Sequence, residues 1–410
     1  MMGINRLIKI DNIHNYFIIL LLFTITIKTS VSFLLEAIIF LLWIWNGKFR
    51  EKLQIIFTDK LSLTFLALFL IHLAGIFWTQ NLHEGLQILS KQKIYIFAPL
   101  IISFFDKRFA KYAIYSFLSA ILISEIYSLY LYMTGGVHLF GSFPSPFMHH
   151  MHYSLILAFT FGYLINEIDF KKILEKKELF YLLFATLTIV VLFINKGRIG
   201  QVSLLLVFFI LAVNKFKLSF IKSIIAVGIT TTIIFLGAYQ FSDQFKSRFE
   251  RATHEFHQVI GTDKRDSIAC RFEMWEYAIE LGKKSPIIGI GTGDSISEMK
   301  SLLGENKFQK LFNECGLGMK YQFNPHNNFL LYFMQFGTIG VILLLLIFIY
   351  QFKIAYLQNS TPMMILISVT LIGMMSASPI SMHIKYIFFY ALLMTMIYLD
   401  NIYKGEKISV

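Results

Sequence analysis

The sequence predicts an all-α, polytopic membrane protein, and three observations carry that expectation. Of the 410 residues, 56% are hydrophobic and 16% aromatic, with a mean hydropathy of +0.63, well above that of soluble chains. Runs such as "LSLTFLALFLIHLAGIFW" and "GVILLLLIFIY" approach the roughly 20 apolar residues that a helix needs to cross a hydrocarbon core. Basic residues also alternate in density from one connecting segment to the next, as the positive-inside rule requires.

Along the chain, about twelve spans are expected, near residues 14–28, 30–46, 61–79, 93–106, 109–133, 152–167, 178–195, 199–214, 218–240, 326–352, 361–377 and 384–400. With the N-terminus inside, nineteen Lys and Arg fall in cytoplasmic segments. The short outer loops hold six, Lys28, Lys91, Lys93, Lys196, Arg198 and Lys385. The net charge of +12 is therefore mainly a topology signal and not the footprint of a nucleic-acid partner. Both termini are expected in the cytoplasm, with no leader separate from the first span. The chain divides into nine spans over residues 1–240, a large outer loop over 241–325, and three spans with a cytoplasmic tail over 326–410.

The outer loop balances twelve basic against twelve acidic residues, so individual side chains must carry any specificity. It holds the two cysteines of the chain, Cys270 and Cys315; a disulfide in an oxidising compartment and two unpaired thiols are both open on sequence alone. The stretch "SIACRFEMWEYAIELGKK" patterns as an amphipathic helix with Ile268, Phe272, Trp275 and Ile279 on one face and Glu273, Glu276 and Glu280 on the other. Arg271 falls on the apolar face with no carboxylate three or four positions away. Such an arginine either stacks on Trp275 with its head in water or waits in a groove for an anion.

Arg198, in "FINKGRIGQVSLLL", places positive charge at an outer helix start, against the topological bias. It is an interfacial anchor or one side of a phosphate site, where helix N–H donors converge and Gly197 and Gly200 let backbone come close. In "NPHNNFLLYFMQFGTIG" at 324–340, Asn324 suits a helix cap, Pro325 the first helical position, and His326 the first turn, where the dipole favours a neutral ring. Alone, that histidine reads as a boundary residue; with an anion site nearby it reads as a proton acceptor.

His149, His150 and His152 in "MHHMHY" lack a neighbouring Cys or carboxylate, which argues against zinc and for contacts at a polar head group. Lys91 and Lys93 in "LSKQKIY" are span-end anchors or further charge near an anionic substrate. The outer loop has no Asp-x-Asp, and the chain has neither a P-loop nor a Gly-x-Ser-x-Gly elbow, so metal-dependent nucleotide-sugar transfer, nucleotide hydrolysis and serine hydrolysis find no support. Glu36, Glu125 and His72 are too scattered along the spans to favour a transporter, which stays as the alternative of a different class.

Three segments, "NKGRIG", "RFEMWEYAIELGKKSPIIGIGTGD" and "HNNFLLYFMQFGTIGVILL", in this order and around a large late loop, resemble the O-antigen ligase and O-antigen polymerase family of bacterial inner-membrane enzymes. The resemblance covers about residues 140–345, with Gly197 standing where the family commonly has Ser. It implies a GT-C-type, metal-independent glycosyltransferase without a cofactor. The donor would be a polyprenyl-diphosphate-linked glycan and the acceptor a sugar hydroxyl, on the lipid A core for a ligase or on another lipid-linked repeat for a polymerase. Arg198 and Arg271 match the family's two arginines and His326 its histidine. Lys91, Lys93, Trp275, Asn327 and His149 are then expected around the substrate.

Overall fold

The computed structural model describes residues 12–135, 144–241, 245–247, 249–250, 267–315 and 323–408. Part of the loop 134–151 and much of 241–266 thus lie outside the described residues. All regular structure among the described residues is helical. In chain order the helices are α1 (Ile13–Thr24), α2 (Thr29–Trp45), α3 (Phe49–Thr58), α4 (Lys60–Ala74), α5 (Leu82–Lys91), α6 (Ile94–Phe104), α7 (Ala110–Thr134), α8 (His150–Glu167), α9 (Lys176–Ile194), α10 (Arg198–Asn214) and α11 (Phe220–Phe241). They continue as α12 (Ser267–Lys284), α13 (Ser295–Leu303), α14 (Glu305–Cys315), α15 (Asn328–Leu357), α16 (Thr361–Ser376), α17 (Pro379–Met382) and α18 (Ile384–Ile408).

Each of the twelve apolar stretches read from the sequence falls on a helix. Length and composition, however, qualify five of them to cross a membrane unaided: α7 with the short turn before it, α9, α11, α15 and α18. The stretch at 30–46 is not a simple span, because α2 turns by 119° into α3. There Lys52 folds back to donate to the Trp43 carbonyl at 2.5 Å. Helices α1, α4, α10 and α16 are apolar but only 12 to 17 residues long, so twelve full crossings do not follow from helix lengths. The protein is a helical membrane protein, organised around α8 and α18, most of whose residues are buried.

Helix α8 packs against α9, α10 and α16, while α18 lies on α6, α7 and α16. Helix α11 is the outlier: it leans mainly on α10 and leaves most of its apolar surface outward, the pattern of a lipid-facing helix.

A second, smaller core lies under residues 267–334 and joins Met274, Ala278, Leu281, Met299, Phe308 and Leu311 to Leu331 and Met334 of α15. The buried face of α12 is thus Cys270, Met274, Tyr277, Ala278 and Leu281, and not the Phe272–Ile279 face expected from helical spacing. Phe272 stays 54% exposed, because α13 and α14 cover the other side; the side chain of Ile268 lies outside the described residues. Cys270 and Cys315 are joined in a disulfide with Cα atoms 5.6 Å apart, tying α12 to α14.

The stretch "SPIIGIGTGD" is the strap that fixes this layer to the membrane core. It enters a break in α15 at Gly337 (φ 62°, ψ −161°). Ile290 N–H donates to Met334 O at 2.9 Å and Gly291 N–H to Gln335 O at 3.0 Å. Thr338 N–H returns a bond to Pro286 O at 2.8 Å. The backbone groups that the broken helix loses are thereby satisfied. A Cβ at Gly337 would stand 2.3 Å from the Ile287 carbonyl, so glycine is required by space as well as by φ. Beyond the break, Thr292 N–H bonds Gly75 O at 3.1 Å, and the Asp294 carboxylate accepts the N–H groups of Gln80 and Asn81 at 2.8 and 2.7 Å. The layer is anchored on α4 and on the α4–α5 turn.

Candidate functional site

Three segments distant in sequence meet where this layer joins the bundle. The first is the pair α8 and α10. The Gly200 N–H donates to Ser154 Oγ at 3.2 Å, and Cβ atoms at Gly197 or Gly200 would stand 2.3 and 2.1 Å from Ser154 atoms. These glycines let helix approach helix, and not, as expected from the sequence, backbone approach phosphate. Their effect is to set Arg198 beside the start of α8.

The second segment is α12. Arg271 extends over Met151, with Nη2 3.8 Å from its sulfur, and lies in the electrostatic field of Arg198. Among the described residues, neither arginine has a carboxylate partner. Burial first, and Arg198 second, lowers the Arg271 pKa; both effects mean that the guanidinium is short of negative charge.

The third segment is 323–327. Trp275 donates its indole N–H to Pro325 O at 2.8 Å, pinning the segment to α12. Asn324 does not cap α15; its Oδ1 accepts the His326 N–H at 2.8 Å. The cap is Asn327, whose Oδ1 accepts from Phe329 N and Leu330 N at 2.9 and 3.2 Å. His326 stands outside the helix with a left-handed φ of 52°, a conformation that costs a non-glycine residue energy and often marks functional positions. Its pKa is lowered to about 4, by burial first and then by Arg271 and His149. The ring is thus neutral for a reason other than the first-turn dipole expected from sequence.

His149, in the extended residue preceding α8, lies against His150 with ring centroids 4.1 Å apart. Lys93 is engaged elsewhere: its Nζ pairs with Glu36 at 2.7 Å and caps the Phe33 ring. Lys91 acts on His383.

His383 escaped the sequence reading. It follows α17, which is held by Gln92 donating to Ser381 O at 2.8 Å, Tyr95 to Ile380 O at 2.7 Å and Asn328 to Ser381 Oγ at 2.7 Å. Its ring lies 3.7 Å from that of His152. The one signal available was the polar break "SASPISMH" between two apolar runs. Among the described residues, no three His, Cys, Asp or Glu side chains converge as metal ligands.

An apolar groove of about 260 Å³ opens at Arg198 and runs between α10 and α11, with Phe193, Val202, Leu205, Phe208, Phe235 and Phe249 among its walls. A second apolar hollow, lined by Phe161, Leu211, Phe216 and Val227, shares Phe208 with it. The apolar groove thus has among its walls a guanidinium that, among the described residues, has no carboxylate partner.

The class these features define is a helical membrane protein with, among the described residues, a cationic centre without a carboxylate partner beside an apolar groove. Within that class, residues 182–346 match the family model described as O-Antigen ligase, the segment in which the three sequence motifs lie. The match takes in Arg198, Arg271 and His326 and leaves out His149 and His383. Two relatives are similar to the chain. An uncharacterized protein of Haemophilus influenzae is 27% identical over 320 residues, covering 73% of each chain. The exopolysaccharide production protein ExoQ of Rhizobium meliloti is 28% identical over 95 residues, 23% of this chain and 21% of its own.

Proposed function

We propose that this protein is a glycosyltransferase that moves a glycan from a polyprenyl-diphosphate donor to an acceptor sugar hydroxyl. It does so at the periplasmic face of a bacterial inner membrane, without a metal ion or cofactor. In this reading the twelve apolar helices that match the expected spans form a GT-C-type arrangement, residues 241–325 are the periplasmic part, and both termini are cytoplasmic. The observation that carries it is a pair of arginines without carboxylate partners among the described residues: Arg198, which lines an apolar groove, and Arg271, which lies in the field of Arg198 and acts on a neutral His326. An isoprenoid chain matches the groove and a diphosphate matches the guanidiniums.

In the reaction, the acceptor O–H bond breaks and its proton passes to His326. The hydroxyl oxygen bonds the anomeric carbon, and the bond from that carbon to the phosphate oxygen breaks with its electron pair leaving on the diphosphate. Attack opposite the leaving group inverts the anomeric carbon. Arg198 and Arg271 stabilise the developing charge. The donor also improves the base: its negative charge offsets Arg271 and raises the His326 proton affinity in the complex that reacts. Trp275 and Asn327 hold the loop that carries His326, His149 borders the site, and Lys91 and Lys93 add positive charge beside the donor, Lys93 while paired with Glu36.

Lipid A core is the acceptor in the ligase reading. The name of the Rhizobium relative favours a second reading, in which a lipid-linked or exopolysaccharide repeat accepts the glycan. Deleting the gene separates them: loss of all glycan from the lipopolysaccharide core marks a ligase, and retention of single repeats marks a polymerase. His326→Ala and Arg271→Ala abolish transfer while the protein still inserts in the membrane; wild-type transfer by either variant refutes the reading.

A further inference from the structure

We propose that Asn195 is a further substrate-binding residue, whose side-chain N–H group donates to a phosphoryl oxygen of the prenyl-diphosphate substrate beside Arg198. This rests on the transfer reading above. Asn195 follows α9, stands three residues before Arg198 and belongs with it to the walls of the groove between α10 and α11. It is 2% exposed.

The orientation of its amide is fixed. Asn195 Oδ1 accepts from Gly197 N–H at 3.1 Å and from Ser145 Oγ at 3.2 Å. A backbone N–H can only donate, so this corner of the amide is the oxygen and the other is the nitrogen. Nδ2 is buried and, among the described residues, has no hydrogen-bond partner. An amide donor left in that state is costly, and in a native fold it calls for an explanation.

The fold accounts for one end of this side chain only. Oδ1 closes the turn between α9 and α10 and ties it to Ser145, and an aspartate would serve there equally well. An aspartate would also put a carboxylate in the groove wall that Arg198 shares and cancel its charge. Asparagine keeps the acceptor and adds N–H donors. The group that satisfies Nδ2 must therefore accept hydrogen bonds. In a groove with a guanidinium that has no carboxylate partner among the described residues, that group is an anion. The groove is otherwise mainly apolar, with Phe193, Leu205, Phe208 and Phe235 among its walls, so the anion carries a hydrocarbon chain. A phosphoryl oxygen at the head of a prenyl chain has both properties. A third cation at this place would add to the repulsion that Arg271 already feels from Arg198; a neutral N–H holds the same oxygen without it.

The test uses full-length protein in detergent and equilibrium binding of geranylgeranyl diphosphate and geranylgeraniol, which share a chain and differ in the head. The wild type binds the diphosphate more tightly. Asn195→Ala weakens diphosphate binding about tenfold, as expected for one hydrogen bond to a charged group, and leaves geranylgeraniol binding unchanged. Because Asn195 is neutral, the dependence of diphosphate affinity on salt stays that of the wild type, whereas Arg198→Ala flattens it. Asn195→Asp keeps the acceptor for Gly197 and Ser145, which covers the case of an alanine variant that does not fold, and it loses at least as much diphosphate affinity. Wild-type diphosphate affinity in either Asn195 variant overturns the assignment. So does an equal loss for both ligands, or a flattened salt dependence in Asn195→Ala, which marks a support of Arg198 and not a contact. If Arg198→Ala weakens diphosphate binding and the Asn195 variants do not, the contact alone fails; if the wild type does not prefer the diphosphate, the transfer reading fails with it.

Discussion

The pH dependence of transfer follows from the surroundings of His326. Burial, Arg271 and His149 bring its pKa from the usual 6.5 to about 4, which corresponds to about 3 kcal/mol in favour of the neutral ring. At pH 5.5 such a ring is about 97% neutral, against about 9% for an ordinary histidine. The perturbation is therefore simple: measure kcat/KM for the lipid-linked donor between pH 5 and 8. The acid limb of kcat/KM, which reports the free protein, should not be reached, and activity at pH 5.5 should stay close to that at pH 7.5. The acid limb of kcat, which reports the loaded complex, should lie at higher pH, since a bound diphosphate raises the same pKa. Folding lowers this pKa, so the unfolded chain takes the proton first and stability falls as pH drops from about 6.5 toward about 4. Thermal unfolding recorded at each pH separates that loss from the chemistry. A half-maximum of kcat/KM near 6.5 would refute the assignment of a buried, cation-flanked base.

Three further outcomes are expected. Cys315→Ser opens the bridge between α12 and α14, whose cysteines are 45 residues apart; chain entropy predicts a loss of about 4 kcal/mol, read as a lower unfolding temperature, and an unchanged temperature contradicts the bridge. Gly200→Ala places a Cβ 2.1 Å from the Ser154 carbonyl oxygen, so α10 must move off α8, and transfer falls although Arg198 is intact; normal transfer and normal stability together would show that the close approach is dispensable. Thr231→Trp fills the groove between α10 and α11 and lowers transfer from long-chain prenyl donors more than from short-chain analogues, as compared in a chain-length series; equal loss for both would place the lipid elsewhere.

Much of the helix layout was legible because a membrane helix announces itself locally. Twelve apolar runs gave twelve helices, but which of them cross, bend or stop depends on packing, and nothing in "FREKLQIIFT" shows that α3 turns back by 119°. The three motifs located Arg198, Arg271 and His326, yet not how they are held. Asn324, Asn327 and Asn328 all suit a cap by type. The choice fell on Asn327 because Trp275 pins Pro325 from another helix, leaving His326 in a left-handed turn. Gly197 and Gly200 looked like partners of a ligand because sequence does not display Ser154 against them. His383 was invisible for the same reason: it faces His152 across 231 positions, and only a polar break in an apolar run marked its place.

The most direct measurement is purified transfer from a prenyl-diphosphate glycan to a defined sugar acceptor, with the wild type beside Arg271→Gln and His326→Gln. The account predicts turnover by the wild type in the presence of a chelator, with release of prenyl diphosphate and near-complete loss in both variants. Glycan transfer by the two variants at the wild-type rate, or a wild type that neither consumes the donor nor releases its diphosphate, would contradict it.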